Sequence, residues 1–87
     1  MIKPGPIHKQ ILNPSDAQVE VPGVPVSLGN QKDTVALWYV ANGSRSIVRL
    51  YPTGQTPSIG SRFIGTALLY GGELVLHAFA DDPVTPL

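Results

Sequence analysis

The sequence predicts an all-β fold, a small antiparallel β-sandwich or partly open barrel of about six strands built on two hairpins. Three observations predict it. Nine prolines and nine glycines in 87 residues cut the chain into short pieces and leave no room for a long helix. The pieces between these breaks alternate apolar and polar residues with the period of an extended strand. Two of the breaks, Asn42-Gly43 and Gly71-Gly72, are two-residue sequences that accept positive φ at both central positions, as the tightest hairpin turns require.

The elements follow in order. A first strand over Ile7 to Leu12 ends at the turn sequence Asn13-Pro14-Ser15-Asp16, and a second, Gln18 to Val21, is closed by Pro22-Gly23. A short extended piece, Val24 to Leu28, leads into a polar loop over Gly29 to Asp33. Strands over Thr34 to Ala41 and Arg45 to Tyr51 flank Asn42-Gly43, and a two-residue turn there sets Ala41 opposite Ser44, Trp38 opposite Ile47 and Ala36 opposite Arg49. One face of this hairpin carries Val35, Leu37, Tyr39, Val48 and Leu50 and is the core face. The other carries Ala36, Trp38, Val40, Arg45, Ile47, Arg49 and Tyr51.

A loop from Pro52 to Ser61 separates this unit from strands over Arg62 to Tyr70 and Glu73 to Ala80. The Gly71-Gly72 turn pairs Tyr70 with Glu73, Thr66 with His77 and Ile64 with Phe79. Phe63, Gly65, Ala67, Leu69, Leu74, Leu76, Ala78 and Ala80 then share one apolar, buried face. The opposite face, with Ile64, Thr66, Leu68, Val75, His77 and Phe79, is too apolar for plain solvated surface, and packs on a partner, on the other hairpin or around a ligand. A single domain spans residues 7–80, with flexible ends at 1–6 and 81–87.

Composition narrows the function classes. Six Lys and Arg balance six Asp and Glu, so there is no overall field to attract extended nucleic acid or an anionic membrane. Only 14% of residues are charged, which leaves little repulsion between copies and predicts a homo-oligomer. There is no cysteine, hence no disulfide and no thiolate site. The first ten residues lack the apolar run of a signal peptide, and the longest apolar run, Val35 to Ala41, is too short to span a bilayer, so the expectation is a cytoplasmic protein.

Chemistry-bearing residues are sparse. Thr66 beside His77 is the one hydroxyl–imidazole pair the register places together, and a cross-strand hydrogen bond between half-buried groups accounts for it without catalysis. His8, Asp16 and His77 are the only convergence open to a metal, and no His-x-His or Cys spacing supports one, so no metal or other cofactor is expected. Thr53 to Ser61 has the hydroxyls and glycines to wrap an anion but lacks the Lys and the following helix of a phosphate loop. Gly65 inside a strand marks close packing against Trp38 or another large neighbour. The strongest cluster is Trp38 with Arg45 and Arg49, continued by Tyr51 and Arg62. It admits three readings: a core Trp with arginines lying over it, a protein interface, or a nucleotide site at a subunit boundary.

Several of these residues, taken in order, resemble a family. Ile7-His8-Lys9, Leu12, Asp16, Gln18-Val19, Val21-Pro22, Gln31, Leu37-Trp38, Arg49, Thr53-Gly54, Phe63-Ile64-Gly65-Thr66, Gly72, Leu74-Val75, His77 and Phe79 look like a family of short proteins of unknown function found in bacteriophages, prophages and bacteria. The likeness covers Ile7 to Ala80. It implies a phage-associated setting and no known activity. The resulting expectation is a non-enzymatic accessory protein in the host cytoplasm that binds a host or phage protein, with inhibition of a host defence complex as the role such a size and setting suggest. The alternative is a small-ligand binder that sequesters a nucleotide.

Overall fold

The computed structural model describes residues 5–81. Seven strands follow one another: β1 (Ile7–Leu12), β2 (Gln18–Val21), β3 (Val24–Gln31), β4 (Thr34–Val40), β5 (Ser46–Pro52), β6 (Arg62–Leu69) and β7 (Leu74–Ala80). A 3₁₀ turn over Tyr70–Gly72 joins the last two. They form two antiparallel sheets, one ordered β1-β4-β3 and the other β2-β5-β7-β6, packed as an open sandwich. No helix among the described residues is long and apolar enough to cross a membrane.

The sheet containing β4 differs from the sequence expectation in two ways. The extended piece starting at Val24 continues to Gln31, so the predicted polar loop is mostly strand, and a tight reversal at Lys32-Asp33 takes its place. Lys32 adopts φ 54°, and the Thr34 hydroxyl donates to the Gln31 carbonyl at 2.7 Å, which closes that reversal. The predicted hairpin at Asn42-Gly43 is absent. β4 is paired along one side with β1 and along the other with β3, so it offers β5 no free edge. Residues 41–45 instead carry the chain to the opposite sheet. The Asn42 side-chain oxygen accepts from the Ser44 amide at 3.1 Å, and the buried Ser46 hydroxyl donates to the Gly23 carbonyl at 2.8 Å as β5 begins. The expected pairs Ala41–Ser44, Trp38–Ile47 and Ala36–Arg49 are therefore not formed.

The core survives this change of partner. Val35 and Leu37 of β4 and Val48 and Leu50 of β5 all point inward, now from facing sheets, and join Leu12, Val21, Ala67, Leu69, Leu76, Ala78 and Ala80. Each fully buried large aliphatic contributes about 1.5–3 kcal/mol. Six of them, Leu12, Leu37, Leu69, Val21, Val35 and Val48, are under 2% exposed.

The β6–β7 hairpin keeps its predicted register from Leu69–Leu74 to Gly65–Ala78 and includes Thr66–His77. The turn reaches it through three consecutive positive φ values, at Tyr70, Gly71 and Gly72, with the Glu73 amide donating to the Tyr70 carbonyl at 3.3 Å. Beyond Gly65 a bulge at Ile64 shifts the pairing, so that Phe63, not Ile64, lies opposite Phe79. Ile64 packs on the core and Phe63 turns outward, 55% exposed, the reverse of the expectation for both.

Gly65 also brings the two sheets together at their β3 and β6 borders. A Cβ there would lie 2.9 Å from Leu28 Cβ and 3.4 Å from the Leu28 amide nitrogen, so the close neighbour is Leu28 and not Trp38. Arg62 adds a tie across the same border, donating to the Pro25 carbonyl at 2.9 Å. Gly65→Ala must push the two strands apart, at an expected loss of about 1–3 kcal/mol in urea unfolding. An unchanged midpoint would mean that the border is not closely packed.

Candidate functional site

The outer face of the four-stranded sheet carries the densest arrangement of aromatic and polar side chains. Alternation along β5 turns Val48 and Leu50 inward and Arg49 and Tyr51 outward. The same rule on β7 buries Leu76, Ala78 and Ala80 and sends out Val75, His77 and Phe79. β6 contributes Thr66 and Leu68 and, through its bulge, Phe63. Cross-strand register then builds two rows. Arg49, Phe79 and Phe63 lie side by side in one, and Tyr51, His77 and Thr66 in the next.

The aromatic rings form a continuous strip. Phe63 and Phe79 have centroids 5.3 Å apart at 58°, and Tyr51 meets Phe79 edge-on at 5.8 Å and 78°. Leu68 lies on the same face beyond the Thr66–His77 row and is 54% exposed. Polar groups border the strip. The Arg49 guanidinium donates to Asp81 Oδ2 at 2.5 Å, and this hydrogen bond raises its already high pKa. Asp81 is itself fixed, its amide donating to the Ile47 carbonyl at 3.0 Å, so it is part of the sheet margin and not of a loose tail. Asp82 lies outside the described residues.

His77 is held from both sides. Nδ1 shares a hydrogen bond of 2.9 Å with Thr66 Oγ1, and Nε2 one of 2.8 Å with Thr53 Oγ1. In a neutral ring one hydroxyl donates and the other accepts. The second nitrogen thus meets a hydroxyl where a nucleophile triad would need a carboxylate. Thr53 opens the segment 53–61, which links β5 to β6. Those strands run parallel with β7 between them, so the segment must pass from one end of the sheet to the other. His77 fastens its first residue to the middle of the sheet.

The predicted cluster is divided. Trp38 lies on the outer face of the three-stranded sheet, half-buried, its ring over Gly29, where a Cβ would come within 3.2 Å of it. That is the opposite side of the molecule from Arg49 and Tyr51. Arg45 precedes β5 and pairs with Glu20 at 3.0 Å, both exposed. Arg62 sits at the sheet border already described. Only Arg49 and Tyr51 share a face, and Trp38 joins neither, so the single Trp–Arg grip required of a nucleotide site is not assembled. Nor do His8 and His77 converge: His8 stacks on Tyr39 at 5.8 Å in the other sheet, and no group of metal-binding side chains occurs among the described residues.

Phe63 is the site residue that alternation alone misplaces, and the sign of it is the Ile64-Gly65 step, since glycine inside a strand marks bulges. Phe79, Leu68 and His77 are legible as the mixed outer face. If the two Thr–His77 bonds hold the crossing segment, His77→Ala lowers stability by about 1–2 kcal/mol and speeds amide exchange in residues 53–61 above that of β7. Exchange rising equally throughout the sheet would contradict that role.

Comparison with curated proteins and with solved structures returns no match. A family described as a domain of unknown function, DUF7352, matches residues 5–86, which span the whole sandwich from before β1 to beyond β7. The chain belongs to the DUF7352 family.

Proposed function

We propose that this protein is a non-enzymatic binding module that docks a protein partner on the outer face of its four-stranded sheet. The observation that carries the reading is the strip Tyr51–Phe79–Phe63, which crosses three strands and ends in a phenylalanine more than half exposed. Aromatic side chains and arginine dominate the energetics of protein interfaces, and an apolar centre bordered by polar groups is their usual anatomy. Here Tyr51, Phe79 and Phe63 supply the apolar strip, Arg49 and Asp81 border it at one end, and the Thr66–His77 row separates it from Leu68. The rigid sheet supports this role because ordering the surface costs little when the partner arrives.

In the phage or prophage setting that the sequence resemblance implies, the partner is a host or phage protein of the host cytoplasm, and obstruction of a host defence complex is the role to test first. No specific observation favours the nucleotide reading, because both Arg45 and Arg49 already hold carboxylates and Trp38 is remote from them.

The test is capture of the partner from host extract, identification by mass spectrometry and titration of the purified pair. Phe63→Glu combined with Leu68→Glu is expected to weaken binding by about 30-fold or more, the scale of a hot-spot loss, with thermal unfolding retained. Arg45→Ala, off the face, leaves affinity unchanged. Undiminished binding by the Phe63/Leu68 variant would remove this face as the docking surface.

A further inference from the structure

The four sheet edges are not alike. β2 has four residues, and its Glu20 is paired with Arg45. β3 contains Pro25 and a bulge at Val26. β6 contains the bulge at Ile64 and lies against β3 at Gly65 and Leu28. Short length, charge, proline, bulges and coverage are the devices that keep an edge from pairing with another chain.

Among the described residues, β1 has none of them but a single lysine. Its six residues pair with β4 in unbroken register, and it contains no proline. Its one charge is turned away from the edge, since Lys9 Nζ donates to Gln31 Oε1 at 3.1 Å and Gln31 lies on β3, beyond β4. Ile7 and Ile11 flank that lysine and are 67% and 48% exposed. The backbone is equally available. Ala41 donates its amide to the Pro6 carbonyl at 3.0 Å, which fixes His8–Tyr39, Gln10–Leu37 and Leu12–Val35 as the hydrogen-bonded pairs of the ladder. Ile7, Lys9 and Ile11 therefore direct their N–H and C=O groups outward, unused by β4.

We infer that β1 pairs antiparallel with β1 of a second copy of this chain about a two-fold axis, joining two three-stranded sheets into one of six strands. A register centred on Lys9 uses all three outward-facing residues on each side and sets Ile7 of one copy against Ile11 of the other. The two copies carry no net charge and few charges in all, so no long-range repulsion opposes their approach. The facing Lys9 side chains are drawn apart, each toward Gln31 of its own subunit. A two-fold pairing also closes both open edges at once, which a single foreign strand does not. This contact is separate from the outer face of the four-stranded sheet, so either can fail without the other.

Sedimentation equilibrium of the purified chain tests it. The expected mass is twice the 9.3 kDa of one chain. Ile11→Pro removes an amide that β4 does not use, and Ile11→Lys places a charge on the edge. Each is expected to give the mass of one chain with far-ultraviolet circular dichroism unchanged, and Ile11→Lys decides the matter if the proline variant fails to fold. A wild-type chain at the mass of a single copy overturns the inference, including the case in which β1 awaits a strand from another protein. A dimer that survives Ile11→Lys, as one built on another surface would, overturns it as well.

Discussion

β4 is hydrogen-bonded along its whole length on both sides, by β1 and by β3, and this saturation organises the molecule. A central strand has no edge left to give. The chain leaving β4 must therefore cross to a second layer, and once β5 lies there its inward residues Val48 and Leu50 meet Val35 and Leu37 from the front and not from the side. Burial does not choose between the two arrangements, because the same four aliphatics leave water in either one. Backbone pairing chooses. β3 reaches β4 through the short reversal at Lys32-Asp33, whereas β1 comes from residues 7–12, so half of the pairing that fixes the fold is non-local and carries a loop-closure cost.

The position of the aromatic strip follows from that layer arrangement and from one added residue. With the core side of the four-stranded sheet facing β4, the alternate residues of β5 and β7 are committed to the outside, which places Tyr51 and Phe79 next to each other. The bulge at Ile64 completes the strip by exchanging an isoleucine for a phenylalanine on that face. Its neighbour Gly65 serves the opposite side of the same strand, admitting Leu28. One irregularity thus satisfies the sheet border inside and the exposed surface outside.

Much of this is legible in the sequence, and the failures have a common cause. The limits of β1 and β2, the register of β6 with β7 as far as Gly65, and nearly all the inward-facing residues follow from turn chemistry and two-residue periodicity, which are local. β3 is read too short because Gly29, Asn30 and Gln31 have poor strand propensity, and their strand state depends on β4 beside them. Asn42-Gly43 does end β4, but its side chains cannot state whether the next strand returns to the same sheet or to the facing one. Trp38 shares a face with Arg45 and Arg49 only if that turn is a hairpin, and the group separates because the chain crosses to the other sheet there. The DUF7352 match over residues 5–86 agrees with a single sandwich spanning nearly the whole chain.

Interstrand nuclear Overhauser effects reach the central claim most directly. The Asp81 amide bonded to the Ile47 carbonyl makes Leu50 and Ala78 a non-hydrogen-bonded pair, the closely spaced kind in an antiparallel ladder. A strong Hα–Hα effect between Leu50 and Ala78, with none between Leu37 or Ala36 and any residue of β5, is the predicted result. Backbone Hα–Hα or amide contacts linking Trp38 to Ile47, or Ala36 to Arg49, would show β4 and β5 side by side in one sheet and would contradict the two-layer account.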